Sequence, residues 1–256
     1  MSITIEIEKH EKPIIDAEKD WKTTAGPKSA SQWKPGYSAA EFAHFVLERK
    51  EEFRNLISSI LSLCNLSTDQ KFEGEPEATS SLGKGFCRGG CRNHDLLLEG
   101  EDCIIGIEAK VTEPFDNPIG KVIEDQKNSG KKTKAETETR GYKLFHYLTG
   151  KDKLSGEDNK LMYQLFTATR GTIEAAKKKQ AIMLVIQLIP DRGDKSNKIQ
   201  DNLSAFRKFI SAINICETRS RESLSCFRFS NNGDSCWLCD YSVHFKERTS
   251  SIPQPY

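Results

Sequence analysis

A strand–turn–strand segment near the middle of the chain constrains the fold more than any other part of the sequence. Residues 95–110 read DLLLEGEDCIIGIEAK, two apolar stretches that flank a short polar turn. Gly100 at the first central position of that turn favours a two-residue type II′ hairpin. Such a hairpin predicts that Asp95 lies opposite Gly106 and diagonal to Glu108, with the Cα atoms of the diagonal pair about 7–8 Å apart.

Alternation along the two strands predicts one apolar face and one charged face. Successive side chains of a strand point to opposite sides of the sheet. The apolar face comprises Leu96, Leu98, Cys103, Ile105, Ile107, Ala109 and Val111. The other face carries Asp95, Glu108 and Lys110, and Gly106 is predicted to leave that surface open for a ligand.

Two carboxylates and a lysine on one face suit the binding of a hard cation beside a phosphate group. Mg²⁺ or Mn²⁺ prefers carboxylate oxygens, so Asp95 and Glu108 are predicted metal ligands. Glu108 and Lys110 are separated by about 6.6 Å along a strand and can flank one phosphate. Lys110 is then placed to orient a nucleophile or to stabilise an anionic transition state. The alternative is an ordinary charged outer face of a hairpin.

This pattern resembles the PD-(D/E)XK nuclease superfamily, in which a sheet flanked by helices carries an aspartate and, on the next strand, a Glu-x-Lys motif. Downstream, residues 162–176 and 181–186 resemble the helix and buried strand that follow this hairpin in the superfamily. The resemblance covers approximately residues 73–190. It implies that Asp95, Glu108 and the Ala109 carbonyl hold a metal ion and that Lys110 is the catalytic lysine.

The resemblance also indicates accessory residues. Some superfamily members add a glutamate from an early helix, for which Glu75 and Glu77 are the candidates here, and Gln164 is a further accessory candidate. The superfamily's proline does not precede Asp95, where this chain has Asn93 and His94. Because adjacent strand residues point to opposite faces, His94 is predicted to point away from the metal ligands.

Basic residues around the hairpin are candidates for nucleic-acid binding. The glycine-rich loop 83–92 carries Lys84, Arg88 and Arg92, which are predicted to hold a phosphate beside the metal site. The polar segment 117–160 carries Lys131 and Lys132, which would add affinity through counterion release. The alternative for that segment is a solvated mobile loop. A formal net charge of +1 favours neither reading.

Eight cysteines without a secretory signal argue against a disulfide framework. Two pairs have short spacings, Cys87 with Cys91 and Cys236 with Cys239. Together they offer four thiolates, which is the ligand set of a tetrahedral structural zinc site. The alternative is a set of free thiols, some of them buried.

Helical and strand periodicities predict an α/β fold in three layers. A long helix is predicted near 39–63, with Ser38 as its N-cap and Glu41 completing a capping box. The remaining predicted elements are a helix near 161–179, a central strand 181–189, a helix 202–215 and two strands, 224–230 and 237–245, around an Asn-Gly turn. With the resemblance, the expected fold class is a three-layer restriction-endonuclease-like core, a mixed β-sheet flanked by helices.

The 256 residues are predicted to form one nuclease-like domain with three additions. These are an N-terminal strand and connector (1–36), a polar basic insertion (117–160) and a C-terminal β extension (217–256). No apolar run approaches the roughly 20 residues of a membrane-spanning helix. The N-terminal residues lack a secretory apolar core, so a cytoplasmic location is expected.

The function predicted first is a Mg²⁺- or Mn²⁺-dependent nuclease that hydrolyses phosphodiester bonds, with double-stranded DNA as the expected partner. A role in restriction or defence follows from family analogy alone. Two alternatives remain: a non-catalytic nucleic-acid-binding protein with the same fold, and a zinc or thiol protein. A homodimer would suit double-strand cleavage, but the sequence leaves the oligomeric state open, as it does DNA versus RNA and endonuclease versus exonuclease activity.

Overall fold

The computed structural model of the chain describes residues 3–26, 33–86, 91–129, 135–191 and 196–246, with side chains from residue 201 onward in the last range. In these ranges the chain forms a nine-stranded mixed sheet with helices on both faces. The strands are β1 (Thr4–Lys9), β2 (Lys12–Pro13), β3 (Lys71–Ser81), β4 (Cys91–Glu99), β5 (Cys103–Lys110), β6 (Gln180–Pro190), β7 (Ile215–Arg221), β8 (Leu224–Asn231) and β9 (Asp234–Phe245). Their order across the sheet is β2-β1-β3-β4-β5-β6-β9-β8-β7. The predicted α/β class, a mixed sheet flanked by helices, is confirmed.

The sheet divides the apolar core into two clusters, and helices cover both of them. The helices are α1 (Ser38–Glu48), α2 (Lys50–Leu63), α3 (Ile119–Asn128), α4 (Arg140–Thr149), α5 (Tyr163–Ala176) and α6 (Ser196–Ala212). A π-helical segment, Ala17–Ala25, packs with α1 and α2 on one face. Helices α3 to α6 cover the other face. None of the helices in the described ranges is long and apolar enough to cross a membrane.

Strands β5 and β6 form the centre of the sheet. Every residue of β5 is buried, and β6 runs parallel to both β5 and β9. A parallel strand covered by helices on both faces needs an almost continuous apolar sequence, which β6 has. The predicted central strand and the helix before it are therefore confirmed, although that helix, α5, is shorter than predicted. The hairpin of β8 and β9 around the Asn-Gly turn is also confirmed.

The β4–β5 turn differs from the predicted two-residue turn, and this changes the register. Leu97 pairs with Gly106 and Glu99 with Ile104, so the turn is centred on Glu101 and Asp102, one residue later than predicted, and the Gly100 amide donates a 2.9 Å hydrogen bond to the Cys103 carbonyl. Continuing this register places Asp95 level with Glu108 and not with Gly106. Because the shift is two residues, it leaves each side chain on its predicted face. All seven residues of the predicted apolar face lie in one core cluster, as expected.

The long helix predicted near 39–63 is two helices, α1 and α2, that meet at Arg49. The Arg49 backbone leaves the helical region, at φ −102° and ψ 44°. Its guanidinium donates a hydrogen bond to the His244 carbonyl, with a nitrogen–oxygen distance of 2.7 Å, which ties this break to β9. Ser38 is the first helical residue and not the N-cap. The predicted capping box does not form, because the Glu41 carboxylate accepts from the Gly36 amide at 2.8 Å and the Ser38 amide donates to Glu113 at 2.6 Å.

Two of the predicted additions are parts of the main fold. The segment 117–160 contains α3 and α4, which supply buried apolar residues to the second core cluster, so it is not a polar insertion. The buried apolar residues that α3 and α4 supply are Ile119, Ile123, Leu144, Phe145 and Leu148. Strands β7, β8 and β9 belong to the central sheet, with β9 beside β6, so residues 217–246 are not an extension of it. The N-terminal connector likewise contains the π-helical segment, whose Trp21 is buried.

Gly106 is the point where α5 crosses β5 most closely. A Cβ atom at this position would overlap the Thr172 hydroxyl and lie 3.0 Å from the His94 ring. The Thr172 hydroxyl is itself fixed by a 2.8 Å hydrogen bond to the Ala168 carbonyl. Because Gly106 has no side chain, helix α5 can pack closely against β5 at this position. The prediction that it opens the sheet to a ligand is wrong.

Gly106→Ala is expected to lower the free energy of unfolding by about 2 kcal/mol, because an added methyl overpacks the β5–α5 contact. Gly156→Ala is the matched control, since a Cβ there meets no atom within 4 Å, and its effect is expected to stay within about 0.5 kcal/mol. Urea unfolding followed by circular dichroism measures both. A Gly106→Ala protein as stable as the wild type would contradict the close packing.

Candidate functional site

Glu108 is the centre of a buried polar cluster between β4, β5 and α5. Its side chain has no solvent exposure. Arg92, from β4, donates to both carboxylate oxygens, with 3.1 Å between Arg92 Nε and Glu108 Oε1 and a second contact from Nη2 to Oε2. Gln164, from the first turn of α5, donates its side-chain amide to Oε2 at 2.8 Å. Glu108 is thus a buried carboxylate with a two-pronged, charge-assisted partner.

Asp95 lies where β4 separates from β5. Its Oδ2 atom accepts a hydrogen bond from the Ala109 amide at 2.7 Å, and regular pairing of β4 with β5 begins only at Leu96. On the other side of β4, the β3–β4 ladder omits the pair of Glu77 and Asp95, and Glu77 has a positive φ of 49°. Two neighbouring strands are therefore irregular at the same level, as at bulges that redirect side chains.

This irregularity changes the side of the sheet on which the residues before Asp95 lie. The His94 ring lies 3.0 Å from the position that a Cβ atom would take at Gly106 and 3.2 Å from the corresponding position at Gly171. Its Nδ1 atom is 3.9 Å from Glu108 Oε1. Leu96, two residues later, belongs to the core cluster on the opposite side. The prediction that His94 points away from Glu108 is therefore wrong, because regular alternation does not continue through Asp95.

Of the two accessory glutamates, Glu77 approaches the site and Glu75 does not. The Glu75 carboxylate is 53% exposed and forms a 2.6 Å ion pair with Lys9. The Lys9 ammonium also donates to the carbonyls of Pro76 and Glu77, at 2.9 and 3.3 Å, and so stabilises the irregular turn of β3. Glu77 lies on a strand and not on an early helix as in the superfamily. Lys9 was missed from the sequence because it is 68 residues from Glu77 and no local pattern connects them.

Glu77, Asp95 and Glu108 form what we call the carboxylate cluster, and its members affect each other's ionisation. Burial, followed by the charges of Asp95 and Glu108, raises the pKa of Glu77 to about 7. Burial and the Glu108 charge raise the pKa of Asp95 to about 6, against the opposing effects of Lys110, the Ala109 amide and Arg92. Three basic residues, Arg92, Lys110 and Lys9, act on these carboxylates in the opposite direction.

The basic and neutral neighbours of the cluster are also buried. Burial opposes the charge on Arg92, but the Glu108 carboxylate raises the pKa of Arg92 above its ordinary value. Burial and the Arg92 charge lower the pKa of His94 to about 3, so His94 is neutral at physiological pH. Its Nε2 atom is 2.8 Å from the Ser80 hydroxyl, whereas buried Nδ1 has no hydrogen-bond partner among the described residues.

Lys110 ends β5 on the same face as Glu108. Its side chain is largely buried, with the ammonium nitrogen 5.5 Å from the centre of the Phe115 ring. The side-chain amide of Gln187 donates to the carbonyls of Lys110 and Val111, at 3.0 and 2.6 Å, and fixes the end of the strand. For Ala109, the contact with the cluster is made by the amide, which binds Asp95, and the metal-binding role predicted for its carbonyl stays a prediction.

The predicted nucleic-acid contacts have separate outcomes. Lys84 is exposed in the turn after β3, as a phosphate contact requires. Arg92 is paired with Glu108, and its side chain is only 18% exposed. Arg88, Lys131 and Lys132 lie outside the described residues.

The predicted four-cysteine zinc site is not formed by the pairs proposed for it. Cys236 and Cys239 are three residues apart on β9, so they belong to core clusters on opposite faces of the sheet. Burial raises the pKa of the Cys236 thiol to about 12. Cys91 is exposed at the start of β4, and Cys87 lies outside the described residues. The zinc prediction required each cysteine pair to form a tight turn with both sulfurs on one side. Cys236 and Cys239 lie within one continuous strand and do not form such a turn.

The raised pKa of Glu77 predicts a pH-dependent effect of Glu77→Gln on stability. Between the ordinary value of 4.5 and the folded value of about 7, the folded protein holds a proton that the unfolded chain releases. The stability from this proton is present below pH 4.5 and is lost as the pH rises through about 7. Relative to wild type, Glu77→Gln is therefore expected to gain about 2 kcal/mol between pH 4.5 and pH 8.

Urea unfolding at a series of pH values measures this difference, and the contribution of His94 cancels because both proteins contain it. Glu75→Gln removes an exposed carboxylate from the same strand and controls for the change in net charge. An equal pH-dependent gain in both variants would assign the effect to net charge and not to the carboxylate cluster.

Comparison with known proteins identifies a family but no characterised relative. The family model described as a domain of unknown function, DUF6946, matches residues 14–231. This range contains the whole carboxylate cluster together with Arg92, Lys110 and Gln164. No curated protein and no solved structure matches the chain. The match covers most of the sequence, and the chain belongs to the DUF6946 family.

Proposed function

We propose that this protein is a divalent-metal-dependent nuclease with a restriction-endonuclease-like core, and that its substrate is DNA. The observation that carries the proposal is the carboxylate cluster, in which three adjacent strands each contribute one acidic residue beside Lys110. In the superfamily that the sequence resembles, an aspartate and a Glu-x-Lys motif also occupy neighbouring strands. Helix α5 and strand β6, which follow the hairpin, support the same comparison.

The residues of the cluster are of the kind that binds a hard divalent cation. Their ligand atoms do not all lie within 4.8 Å of one another, so binding one ion would require side-chain movement. Carboxylate oxygens are the ligands that Mg²⁺ and Mn²⁺ prefer, and Asp95 and Glu108 would hold the ion, with Glu77 as the accessory ligand. Burial first, and then repulsion from neighbouring carboxylates, raises the pKa values of Glu77 and Asp95, and a bound cation would relieve the repulsion. Such an ion, when bound, would acidify a water molecule and neutralise charge on a phosphoryl group.

Arg92 holds the positive charge beside Glu108 and is also suited to the substrate. A guanidinium binds carboxylate and phosphate with the same two-pronged geometry. We propose that Arg92 exchanges its partner, from Glu108 to a backbone phosphate, when DNA enters the site. The Glu108 oxygens, which Arg92 and Gln164 now occupy, would then become available.

Lys110 and His94 have different roles in this scheme. The ammonium of Lys110, fixed at the end of β5, is placed to orient the attacking water and to stabilise negative charge that develops on the phosphate. His94 is neutral, so its free Nδ1 atom can accept a hydrogen bond from a water near Glu108. His94 therefore positions solvent in this scheme and is not itself a cationic acid.

Purified protein is expected to cleave DNA in the presence of Mg²⁺ or Mn²⁺ and to be inactive with EDTA. Lys110→Met keeps the packing of the aliphatic side chain but removes the ammonium, and Asp95→Asn keeps the hydrogen bond from Ala109. Both variants are expected to lose at least about 100-fold in rate, since each removes a group that acts on the transition state. Gel assays with plasmid, linear duplex and single-stranded DNA, and with RNA, measure cleavage and identify the substrate.

Lys71→Met is the matched control, because Lys71 is a surface lysine at the start of β3 that pairs with Glu6. Thermal unfolding establishes that all three variants fold. Equal cleavage by wild type, Lys110→Met and Asp95→Asn would exclude the proposed site, and salt-dependent binding without cleavage would indicate a non-catalytic nucleic-acid-binding protein.

Arg92→Gln tests the cluster without an activity assay. Removing the guanidinium leaves Glu108 with an uncompensated buried charge, so the variant is expected to be less stable than wild type by about 3 kcal/mol in EDTA. A divalent cation would supply the missing charge, and Mg²⁺ or Mn²⁺ is therefore expected to raise the melting temperature of Arg92→Gln more than that of wild type. Differential scanning fluorimetry across a metal titration measures both effects.

The double variant Arg92→Gln/Glu108→Gln is the control, because it removes both charges of the pair. It is expected to lose the additional metal response. If Arg92→Gln responds to Mg²⁺ and Mn²⁺ no more than wild type does, the carboxylate cluster is not a cation site.

A further inference from the structure

Three cysteines meet on the side of the sheet opposite Gly106 and α5. Cys64 follows the last residue of α2, Cys226 lies on β8 and Cys239 on β9. Cys226 and Cys239 are direct cross-strand partners, with 2.8 Å between their sulfur atoms. All three sulfurs lie within 4.8 Å of one another, and we call them the thiol cluster.

The thiol cluster is closed to solvent. Cys226 and Cys239 have no exposure, and Cys64 is 7% exposed. All three are free thiols and belong to the apolar core between α1, α2 and the sheet. A buried free cysteine by itself is ordinary, because it packs as a small apolar side chain. The feature that points to a ligand is that three sulfur atoms lie within 4.8 Å of one another.

A positive charge lies beside these sulfurs. Arg219 pairs with Cys226 across β7 and β8, in the same row of the sheet as Cys239. Its guanidinium donates to the Leu63 carbonyl at 2.5 Å and lies over the Trp237 ring, 5.0 Å from the ring centre. Arg219 is thus fixed at the end of α2. It also pairs with Glu217, at 2.7 Å from Nε and 2.5 Å from Nη2 to Oε1, so only part of its charge is available to compensate negative charge on the cluster.

The spacing of the sulfurs suits a metal with three thiolate ligands. A metal–sulfur bond of about 2.3 Å places the sulfurs of a trigonal site about 4 Å apart. The three sulfurs already lie within 4.8 Å of one another, and the Cys226 and Cys239 sulfurs, now 2.8 Å apart, would have to separate to reach that spacing. Among the described residues, no histidine or carboxylate joins the three cysteines as a fourth ligand. Structural zinc sites are almost always four-coordinate, whereas thiolate ligands also select monovalent copper, a soft ion.

We infer that Cys64, Cys226 and Cys239 form a buried three-sulfur metal site, and that its ligand is a soft d10 cation of the Cu(I) class. On binding, each sulfur exchanges its proton for a bond to the metal, so one Cu(I) ion and three thiols give a copper trithiolate and three protons released to solvent. No electron is transferred. Arg219 offsets part of the resulting negative charge.

This site is separate from the proposed nuclease site, because the thiol cluster and the carboxylate cluster face opposite sides of the sheet. Binding of Cu(I) therefore does not depend on divalent-metal chemistry at Glu108. Metal binding at one site and nuclease activity at the other can be tested, and can fail, independently.

The experiment is an anaerobic titration of the full-length, reduced protein with Cu(I), in competition with a chromophoric Cu(I) chelator. We expect one equivalent to bind at high affinity, with ultraviolet thiolate-to-copper absorption and a higher melting temperature. Cys226→Ala and Cys64→Ala are expected to weaken binding by at least about 100-fold. Removing a residue that only hydrogen-bonds a metal ligand already costs up to about 100-fold in affinity, and these variants remove a ligand itself. Cys103→Ala is the matched control, because Cys103 is a buried cysteine of the same core outside the cluster.

Four results would overturn the inference. The first is no high-affinity Cu(I) binding by the wild type. The second is equal affinity in wild type and Cys64→Ala, whose position at the end of a helix makes it the variant better able to keep its fold. The third is tighter binding of Zn(II) than of Cu(I) in a parallel titration, which would exclude the three-coordinate assignment. A Cys226–Cys239 disulfide that persists under the reducing conditions of the titration would likewise contradict the site.

Discussion

The arrangement around β5 depends on the buried charge of Glu108. A carboxylate without solvent is costly unless it is paired and hydrogen-bonded, and the chain places Arg92 and Gln164 on its two oxygens. These partners come from β4 and from α5, so compensation of this charge joins a strand and a helix to the centre of the sheet. Asp95 and Lys110 lie in the same neighbourhood, where burial and the Glu108 charge raise the pKa of Asp95 to about 6. This cost of holding buried carboxylates close together is the physical basis of the proposed cation site.

A local irregularity of the sheet makes the cluster possible. Where β3 and β4 lose their regular pairing at Glu77 and Asp95, the alternation of side chains along β4 is interrupted: His94 lies on the α5 side, whereas Leu96 lies in the opposite core. Arg92 and His94 therefore reach Glu108, although regular alternation from Leu96 would have placed them on the other side. Lys9 stabilises the irregular segment of β3 by binding the carbonyl groups of Pro76 and Glu77. The register is the same on both sides of the missing pair, so the cost is one pair of the ladder.

The two faces of the sheet carry different chemistry. Oxygen and cationic groups collect on the α5 side, where the strand irregularity and Gly106 allow a helix to approach closely. Sulfur collects on the α2 side, where a cross-strand pair meets the end of a helix. Cys236 and Cys239 illustrate this difference. Because they are separated by an odd number of residues on one strand, their sulfur atoms lie on opposite faces of the sheet. The neighbours of Cys239 are instead Cys64 and Cys226, which are distant from it or on another strand.

Local periodicity in the sequence was enough to predict which elements form and which of their faces are buried. The faces of β4 and β5, the central strand β6, helix α5 and the Asn-Gly hairpin were all predictable, because burial on a strand or helix repeats with a fixed period that a two-residue register shift does not alter. Four features follow from the tertiary structure and not from the sequence pattern: the level of Asp95 relative to Glu108, the side of the sheet on which His94 lies, the pairing of Arg92 with Glu108 and the proximity of the three cysteines. They depend on the position of a turn, on an interrupted strand pairing and on residues far apart in the chain, and no periodic signal in the sequence encodes them.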